Sequence, residues 1–296
     1  MKRILTVAFS LLFSFIMCGT VFFAAGCSPA ESEKIPPAAV PDKDGAVEEN
    51  KRAITFIDEF DGDRVSDARW EFQTGTGDLY GLDRWGNGEA QYYRRENAAV
   101  SEGMLKIELK RQTYGGMDYT SARLRTKGKF SQAYGRFEAR IRIDGGMGIW
   151  PAFWLMPEDD AYGGWPFSGE IDIMEIKGRK ETMSSSAVHY AAANGDHQYK
   201  TKEDFLPSGT ITDFHIYALE WQKEKMTFYV DDSVLLEVTN WRSGTNGFPA
   251  PYDQKFHIIL NLACGGHFDG FILPSDEELP ASMYVDYVKV YAPSEM

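Results

Sequence analysis

Apolar and polar residues alternate over short stretches along most of the chain from residue 53 onward. The clearest stretches are MLKIELKR at 104–111, YGRFEARIRI at 134–143, FHIYALEWQ at 214–222, MTFYVDDSVLLEV at 226–238, FHIILNLA at 256–263 and MYVDYVKVYA at 283–292. A β-strand turns successive side chains to opposite faces, so each stretch predicts a strand with one buried face. No run of a dozen residues has convincing 3.6-residue periodicity, which weighs against long helices.

Turn-forming clusters separate these stretches at frequent intervals. They are rich in Gly, Asn and Asp, as in YGGMD, DGGMG, NGD and SGTNG. Many short strands with frequent turns are typical of a β-sandwich or barrel. The sequence contains no internal repeat and no second globular region, so residues 53–296 are predicted to form one all-β domain.

The first 27 residues have the organisation of an export signal. Lys2 and Arg3 precede a long apolar stretch that ends in small residues before Cys27. The segment AAGC resembles a bacterial lipoprotein cleavage box, although Ala24 stands where such boxes usually carry leucine. We expect residues 1–27 to be a lipoprotein-type signal peptide. Cys27 would then be lipidated and hold an extracellular or cell-surface protein on a bacterial membrane through that lipid alone. An ordinary cleaved signal peptide and an uncleaved anchor helix are the alternatives.

Residues 28–52 are rich in Pro, Ala and charged residues and contain no aromatic residue. Such a segment cannot bury a core, so it is predicted to be a disordered linker.

The three cysteines of the chain leave only one in the predicted globular domain. Cys18 lies in the signal and Cys27 is the expected lipid site, so only Cys264 remains, which excludes an intramolecular disulfide and a Cys-based metal site. Cys264 is expected to be a small buried apolar residue.

The charge balance narrows the choice of ligand. The chain has 31 Lys and Arg against 44 Asp and Glu, a formal net charge of -13, and no dense basic cluster. This weighs against nucleic acid and other polyanions as partners and favours a neutral ligand.

Three carboxylates occur inside the apolar stretch GEIDIMEI at 169–176. Glu170 and Asp172 are two residues apart and share one face of a strand. Glu175 is five residues from Glu170 and would point the other way in a regular strand. A β-bulge at 173–174 would oppose two residues to one and bring Glu175 back to the same face.

Paired carboxyl groups suit glycoside hydrolysis, because one protonates the leaving oxygen while the other attacks the sugar or activates water. Retaining enzymes hold the two groups about 5–5.5 Å apart. With the bulge, Glu170 and Glu175 would be spaced like strand residues four apart, whose Cα atoms are about 13 Å from each other. Two side chains that each reach about 4 Å along the strand then leave about 5 Å between carboxyls. Close carboxylates resist joint ionisation, so at least one pKa should rise. A solvent-facing polar stripe and a calcium site built from these carboxylates are the alternatives.

Tryptophans lie close in sequence to the acidic strand. Trp150 and Trp154 fall in GIWPAFWLM, and Trp165 precedes GEIDIMEI. An indole offers a flat apolar face to the C–H face of a pyranose, so the three predict a sugar-stacking surface. Burial in the core is the alternative.

Several segments together resemble one known family. GEIDIMEI with WPAFWLM is similar to the signature of glycoside hydrolase family 16, specifically its laminarinase-like endo-β-1,3-glucanases. Similar segments cover almost all of the globular part: FIDEFDG, RWGNGEAQYY, YTSARLRTKGKF, YGRFEARIRI, FHIYALEW, LNLACGG and VDYVKVY.

The resemblance implies a fold and a mechanism. The fold would be a β-jelly-roll sandwich of two antiparallel sheets with an open concave cleft for a polysaccharide. Glu170 would be the nucleophile, Glu175 the general acid/base, and Asp172 the helper that holds the nucleophile in its proper state. Cleavage would be internal and would retain configuration. We expect a monomer that needs no cofactor for catalysis.

The resemblance also implies sugar-binding residues. Three tryptophans match family positions that line the sugar subsites: Trp150, Trp154 and Trp165. Asn87 and Arg123 match positions that hydrogen-bond sugar hydroxyls, and His189 matches a histidine beside the catalytic strand. Simpler roles stay open here. Arg123 could be a surface ion-pair partner, Asn87 a turn residue, and His189 a satisfied core histidine.

A structural calcium site on the convex face is common in the family. The matching positions here are Glu59, the carbonyl of Gly103 and Asp286. An oxygen-only set suits calcium, although only two of these side chains are acidic.

Two segments depart from the family pattern. GGHFDGF at 265–271 carries His267 and Phe268 where relatives often have a polar residue and a tryptophan, and SAVHY replaces a G-T-L-H-like run. Both border the expected cleft, so the linkage preference stays open. The leading hypothesis is a hydrolase of internal β-1,3 bonds in laminarin-type glucans, with mixed 1,3-1,4-linked glucans as a further candidate substrate. The alternatives are a non-catalytic β-glucan-binding protein and a family hydrolase or transglycosylase for another β-linked polysaccharide, such as agar or lichenan.

Overall fold

The computed structural model describes residues 52–243 and 246–294. The predicted signal peptide 1–27, with the lipidation residue Cys27, lies outside the described residues, as do residues 28–51 of the predicted linker. Those assignments and the domain boundaries therefore stay predictions. No helix in the described part of the chain is long and apolar enough to cross a membrane.

Short strands make up most of the described chain. They are β1 Ile54–Asp58, β2 Glu71–Gln73, β3 Gln91–Tyr93, β4 Ala98–Ser101, β5 Met104–Tyr114, β6 Met117–Ser121, β7 Arg123–Arg125, β8 Gly135–Ile143, β9 Ile149–Pro157, β10 Glu170–Glu175, β11 Met183–Ala191, β12 His197–Phe205, β13 His215–Gln222, β14 Lys225–Val230, β15 Ser233–Val238, β16 Phe256–Cys264 and β17 Ala281–Tyr291. Short 3₁₀ helices lie at Asp78–Tyr80, Asp83–Gly86, Arg95–Asn97, His267–Asp269 and Asp276–Glu278.

Every alternating stretch of the sequence forms strand. The stretch 226–238 forms two strands rather than one, because the chain turns at Asp231, whose φ is 52°. The Asp231 carboxylate then accepts the backbone N–H of Ile216 at 2.9 Å and ties the turn to β13.

The strands form two sheets. One has ten strands in the order β15-β14-β13-β8-β17-β5-β6-β3, with β1 also paired to β17 and β4 to β5. The other has seven strands in the order β12-β11-β10-β9-β16-β7-β2. The pairings are antiparallel except that of β3 with β6. This two-sheet sandwich confirms the predicted all-β fold class.

The core lies between the sheets. Phe137 of β8, Phe153 of β9 and Leu260 of β16 are fully buried. β16 is buried along its whole length, including Cys264, as expected for a small apolar residue. Burial of each large apolar side chain contributes about 1.5–3 kcal/mol, so this layer fixes the strands that carry polar groups on the opposite face.

Candidate active site

The carboxylates of β10 share one face of the seven-stranded sheet because the strand contains a β-bulge. Their partners on β11 are every second residue: His189, Ala187 and Ser185. On β9, Asp172 pairs with Trp154 and Glu175 pairs with Ala152. The step from Asp172 to Glu175 thus uses three residues where both neighbouring strands use two. The predicted bulge is confirmed, and it restores the phase of Glu175.

The residues of the bulge anchor the strand in the core. Ile173 and Met174 are 1% and 0% exposed. Asp172 is only 3% exposed, and Glu170 and Glu175 are half-buried. A solvent-facing polar stripe is therefore the wrong explanation for these acids.

An indole N–H meets each of the two glutamates. Trp165 Nε1 donates to Glu170 Oε2 at 2.7 Å, and Trp150 Nε1 donates to Glu175 Oε1 at 3.0 Å. Hydrogen bonds to a carboxylate favour its ionised form. The metal-sized cluster that Glu170 and Asp172 form includes a ring nitrogen of His189, whereas calcium takes oxygen ligands, so this set fits calcium poorly.

Asp172 faces a histidine. His189 Nε2 lies 3.1 Å from Asp172 Oδ2, and His189 Nδ1 lies 2.8 Å from His197 Nε2. One oxygen of Glu170, one of Asp172 and a ring nitrogen of His189 all lie within 4.8 Å of one another. His189 is thus part of the carboxylate cluster and not a core histidine.

The crowding of these groups shifts their protonation. Burial and the charge of Asp172 raise the pKa of Glu170 to about 8. Burial and the charges of Asp172 and Glu170 raise the pKa of Glu175 to about 8. Burial disfavours the charged form of His189, but its contact with Asp172 and the nearby carboxylates outweigh burial and raise its pKa to about 9. The expected rise in a carboxyl pKa is confirmed, and the two glutamates hold a proton between them at neutral pH.

Arg123 lies deep in the sheet beside the acids. It is 5% exposed, and its guanidinium carbon lies 4.6 Å from the Trp85 ring and 4.7 Å from the Trp154 ring. Its Nε donates to Gln73 Oε1 at 2.7 Å. A surface ion-pair role for Arg123 is therefore wrong. The two indoles hold its charge close enough to interact with Glu170.

Glu89 is a buried acid that no sequence pattern indicated. It is 2% exposed and accepts hydrogen bonds from Gln91 Nε2 at 2.6 Å and Tyr93 Oη at 2.9 Å. Asn87 Nδ2 donates to its other oxygen at 3.3 Å. Asn87 also ends a 3₁₀ helix, because its backbone N–H donates to Arg84 O at 3.2 Å, so the turn-residue explanation is correct without excluding a polar side-chain role. The sequence signal that could have identified Glu89 is that it is the single acidic residue in the aromatic and glycine-containing segment RWGNGEAQYY.

A hydrogen-bonded chain joins Glu89 to the tryptophan beside Asp172. Trp154 Nε1 donates to Asn261 Oδ1 at 2.7 Å, and Asn261 Nδ2 donates to Tyr93 Oη at 3.1 Å. Tyr93 in turn donates to Glu89. The chain crosses β9, β16 and β3 and fixes the half-buried indole of Trp154.

Residues 265–271, whose sequence differs from the family pattern, border the site, as expected. The Phe268 ring stacks on Trp150 with centroids 5.0 Å apart and planes at 24°. Lys177 Nζ lies 4.7 Å from the Phe268 ring centroid. Asp269 next to it is buried and accepts Arg179 Nε at 2.9 Å. Trp150 is consequently 8% exposed, whereas Trp165 is 50% exposed and offers the more open indole.

The positions expected to bind calcium lie together near β17. Glu59 follows β1 and Gly103 precedes β5, the two strands that pair with β17, and Asp286 lies in a bulge of β17. Both carboxylates have basic partners: Lys289 Nζ lies 3.2 Å from Glu59, and Arg140 Nη1 donates to Asp286 at 2.8 Å. An ion would have to compete with these bases, so the side chains as they stand fit calcium poorly.

The chain is similar to known proteins over most of its length. Residues 86–288 match the family described as glycosyl hydrolases family 16. The beta-glucanase of Rhodothermus marinus is 41% identical over 259 residues, which cover 80% of this chain and 84% of that protein. Glucan endo-1,3-beta-glucosidase A1 of Niallia circulans is 35% identical and is aligned over 80% of this chain and 37% of its own length. The X-ray structure of the laminarinase from Rhodothermus marinus superposes with a TM-score of 0.73 over 82% of this chain and 98% of that one, at 41% identity.

Paired, protonatable carboxylates on one strand of an all-β sandwich are the groups that glycoside hydrolysis requires, and the similarity to a beta-glucanase and a laminarinase shows that the protein is a glycoside hydrolase. The matched region and the similarity over four-fifths of the sequence then fix the family. The chain belongs to glycosyl hydrolase family 16.

Proposed function

We propose that this protein hydrolyses internal β-1,3-glucosidic bonds of laminarin-type glucans with retention of configuration. The observation that carries the proposal is the bulged strand β10, which turns Glu170, Asp172 and Glu175 to one face and gives each glutamate an indole donor. The glucan is inferred from the names of the beta-glucanase and the endo-1,3-beta-glucosidase to which the chain is similar.

Glu170 is the nucleophile in this proposal. A nucleophile must be ionised, and the charges of Arg123 and His189 favour the anion of Glu170. The N–H of Trp165 favours it further. The carboxylate attacks the anomeric carbon and forms a covalent glycosyl ester as the glycosidic bond breaks.

Glu175 is the general acid and then the general base. The raised pKa values of the two glutamates keep a proton on the pair at neutral pH, and in this proposal Glu175 holds that proton and gives it to the leaving oxygen. As a carboxylate it then removes a proton from water. The water oxygen bonds to the anomeric carbon and Glu170 is released, which restores both groups.

Asp172 couples the two glutamates. It lies between them on the same face, and its Oδ2 is 3.1 Å from His189 Nε2. Its negative charge raises the pKa of both neighbours. Asp172 thereby helps to keep a proton on Glu175 while Arg123 and Trp165 favour the anion of Glu170.

The sugar is recognised by the groups around the acids. Trp165 is half-exposed next to Glu170 and supplies the stacking surface there. Trp154 and Trp150 border the middle of the site, where Trp150 directs its N–H edge to Glu175. Asn87 and Arg123 supply N–H donors to sugar hydroxyls.

Product analysis tests the proposal. With laminarin, the wild type should release reducing ends from internal bonds, and proton NMR of the first product should show the β-anomer. Glu170→Gln and Glu175→Gln should each remove most activity without lowering the melting temperature. Glu237→Gln, at a surface ion pair with Lys225 on the other sheet, is the matched control and should keep full activity. An initial α-anomer, or near-normal turnover in either active-site variant, would refute the assignment.

A panel of defined polysaccharides separates the alternatives. Laminarin, lichenan, a mixed 1,3-1,4-linked glucan and agar should be compared with the wild type at equal concentration. Laminarin is expected to be cleaved fastest. Binding of laminarin without release of ends would leave only a β-glucan-binding role, and preferential cleavage of agar would exclude the proposed linkage.

We further propose that Cys27 carries a lipid anchor at a bacterial cell surface and that the protein is a monomer. Labelled palmitate should be incorporated into the wild type and not into the Cys27→Ala variant. In size-exclusion chromatography, a protein that begins at residue 28 should elute at the volume expected of a monomer.

A calcium site at Glu59, Gly103 and Asp286 is tested by comparing melting temperatures in calcium and in EGTA. Binding predicts a higher value in calcium that Asp286→Asn abolishes.

A further inference from the structure

His197 begins the edge strand β12 and contacts the acid cluster through one neighbour. Its Nε2 lies 2.8 Å from His189 Nδ1, and the two rings meet edge to edge in nearly one plane, with centroids 5.0 Å apart and planes at 14°. On the other side its ring centroid lies 4.6 Å from that of Trp165. His197 therefore touches both the partner of Asp172 and the indole that donates to Glu170.

We infer that His197 is a positioning residue for the reaction: its Nε2 accepts the Nδ1 proton of His189 and so directs the Nε2–H of His189 to Asp172. This inference rests on the proposed role of the three acids. His197 itself does not touch the acids, so its effect passes through His189.

The two contacts of His189 fix which atoms carry protons. An ionised carboxylate can only accept, so a proton on the Nε2 that lies 3.1 Å from Asp172 Oδ2 makes this contact attractive. The bond between the two histidine rings needs one donor and one acceptor. Because His189 is charged up to a pKa of about 9, its Nδ1 also carries a proton, and Nε2 of His197 must be the acceptor. Burial and the charge of His189 lower the pKa of His197, which keeps that acceptor unprotonated.

The groups around the pair are consistent with this direction of donation. His189 pairs across β10–β11 with Glu170 and across β11–β12 with Tyr199, and it contacts Asp172. The acids favour a charged His189. The Tyr199 ring centroid lies 5.7 Å from that of His197 and 5.9 Å from that of His189, on the same strand as His197.

The consequence concerns the proton on Glu175. An acceptor for the Nδ1–H of His189 stabilises the imidazolium and holds its ring against Asp172, whose charge raises the pKa of Glu175. Loss of the acceptor should therefore impair the chemical step more than the binding of glucan. A purely structural role of His197 would not produce this selectivity.

Two substitutions separate the acceptor from the ring. His197→Gln keeps an acceptor oxygen near the position of Nε2 but has no ring. His197→Phe keeps an aromatic ring against Trp165 but presents a C–H edge, with no acceptor, to His189. Tyr199→Phe is the matched control, because it removes a polar atom from the neighbouring ring without altering the bond between the two histidines.

The readouts are NMR titration of the His189 ring and kcat and KM on laminarin, measured on the full chain. In His197→Phe we expect the pKa of His189 to fall by about one unit and kcat to fall about tenfold, with KM little changed. His197→Gln and Tyr199→Phe should resemble the wild type in both readouts.

Two results would overturn the inference. One is a His197→Phe protein with wild-type titration of His189 and wild-type kcat. The other is equal impairment of the Gln and Phe variants, which would show that ring packing alone matters. If the wild type hydrolyses no β-glucan, the proposed function fails, and the titration of His189 still decides the role of His197.

Discussion

Trp150 donates its indole N–H to Glu175 at 3.0 Å while Phe268 covers the face of the same ring. A hydrogen bond to a carboxylate favours the ionised form and lowers the pKa, whereas burial and the charges of Asp172 and Glu170 raise it. The indole therefore limits how far the pKa of the acid rises.

Trp150→Phe should extend activity to higher pH. Phenylalanine keeps the stacking on Phe268 but cannot donate to Glu175, so the pKa of Glu175 should rise. The acid then stays protonated to a higher pH. The alkaline limb of the pH profile of kcat/KM on laminarin should therefore shift to higher pH. An alkaline limb at the wild-type position would show that this hydrogen bond does not control the acid.

Trp165→Phe should shift the acid limb of the pH–activity profile. Loss of its N–H removes a contact that favours the anion of Glu170, so the nucleophile should become protonated at a higher pH. The acid limb of the same profile should therefore shift to higher pH, while the alkaline limb stays at its wild-type pH. If Trp165→Phe moves the alkaline limb and Trp150→Phe the acid limb, the roles of the two glutamates are reversed.

Deletion of Met174 should leave an active enzyme. The shortened strand reads E-x-D-x-E, which keeps three acids on one face without a bulge and matches the two-residue steps of β9 and β11. Loss of one buried side chain should destabilise the fold by about 1.5–3 kcal/mol. We expect a lower melting temperature and measurable release of reducing ends.

Deletion of Ile171 is the control for this experiment. It also removes one buried residue, but it places Glu170 and Asp172 next to each other and on opposite faces. This variant should have no activity. Equal inactivity of the two deletion variants, with both folded, would show that the phase of the acids is not what the bulge provides.

Stability should fall as pH rises, because the site groups bind protons more tightly in the folded protein. The pKa of Glu170 and of Glu175 rises from 4.5 to about 8 on folding, and that of His189 from 6.5 to about 9. The glutamate contribution is complete below about pH 4.5 and is lost as pH rises through about 8. That of His189 is complete below about pH 6.5 and is lost through about 9.

Melting temperatures between pH 5 and pH 9 test this dependence. The wild type should melt progressively lower over that range, and Glu175→Gln should show a shallower decline because one of the titrating groups is gone. Glu237→Gln is the control and should follow the wild type. Parallel curves for the wild type and Glu175→Gln would contradict the raised pKa of Glu175.

Local patterns predicted much of this structure, since strand alternation depends only on which side chains face the core. The bulge in β10 was predictable because one buried face can hold Glu170, Asp172 and Glu175 together only if the strand gains a residue. The surroundings of Arg123 were not predictable, because Trp85 and Trp154 reach it from distant parts of the chain. Glu89 was missed for the same reason, as its burial depends on how β3 meets β16.

The acids proposed for the chemistry lie close together in the sequence. The segments that border them come from distant parts of the chain. The three acids and both indole donors lie within residues 150–175, in strands β9 and β10 and the loop between them. Asn87 and Phe268 arrive from loops far away along the chain. A change of preferred polysaccharide can therefore arise by replacing the segments near 83–90 or 265–271, while the reacting groups are inherited together as one continuous hairpin.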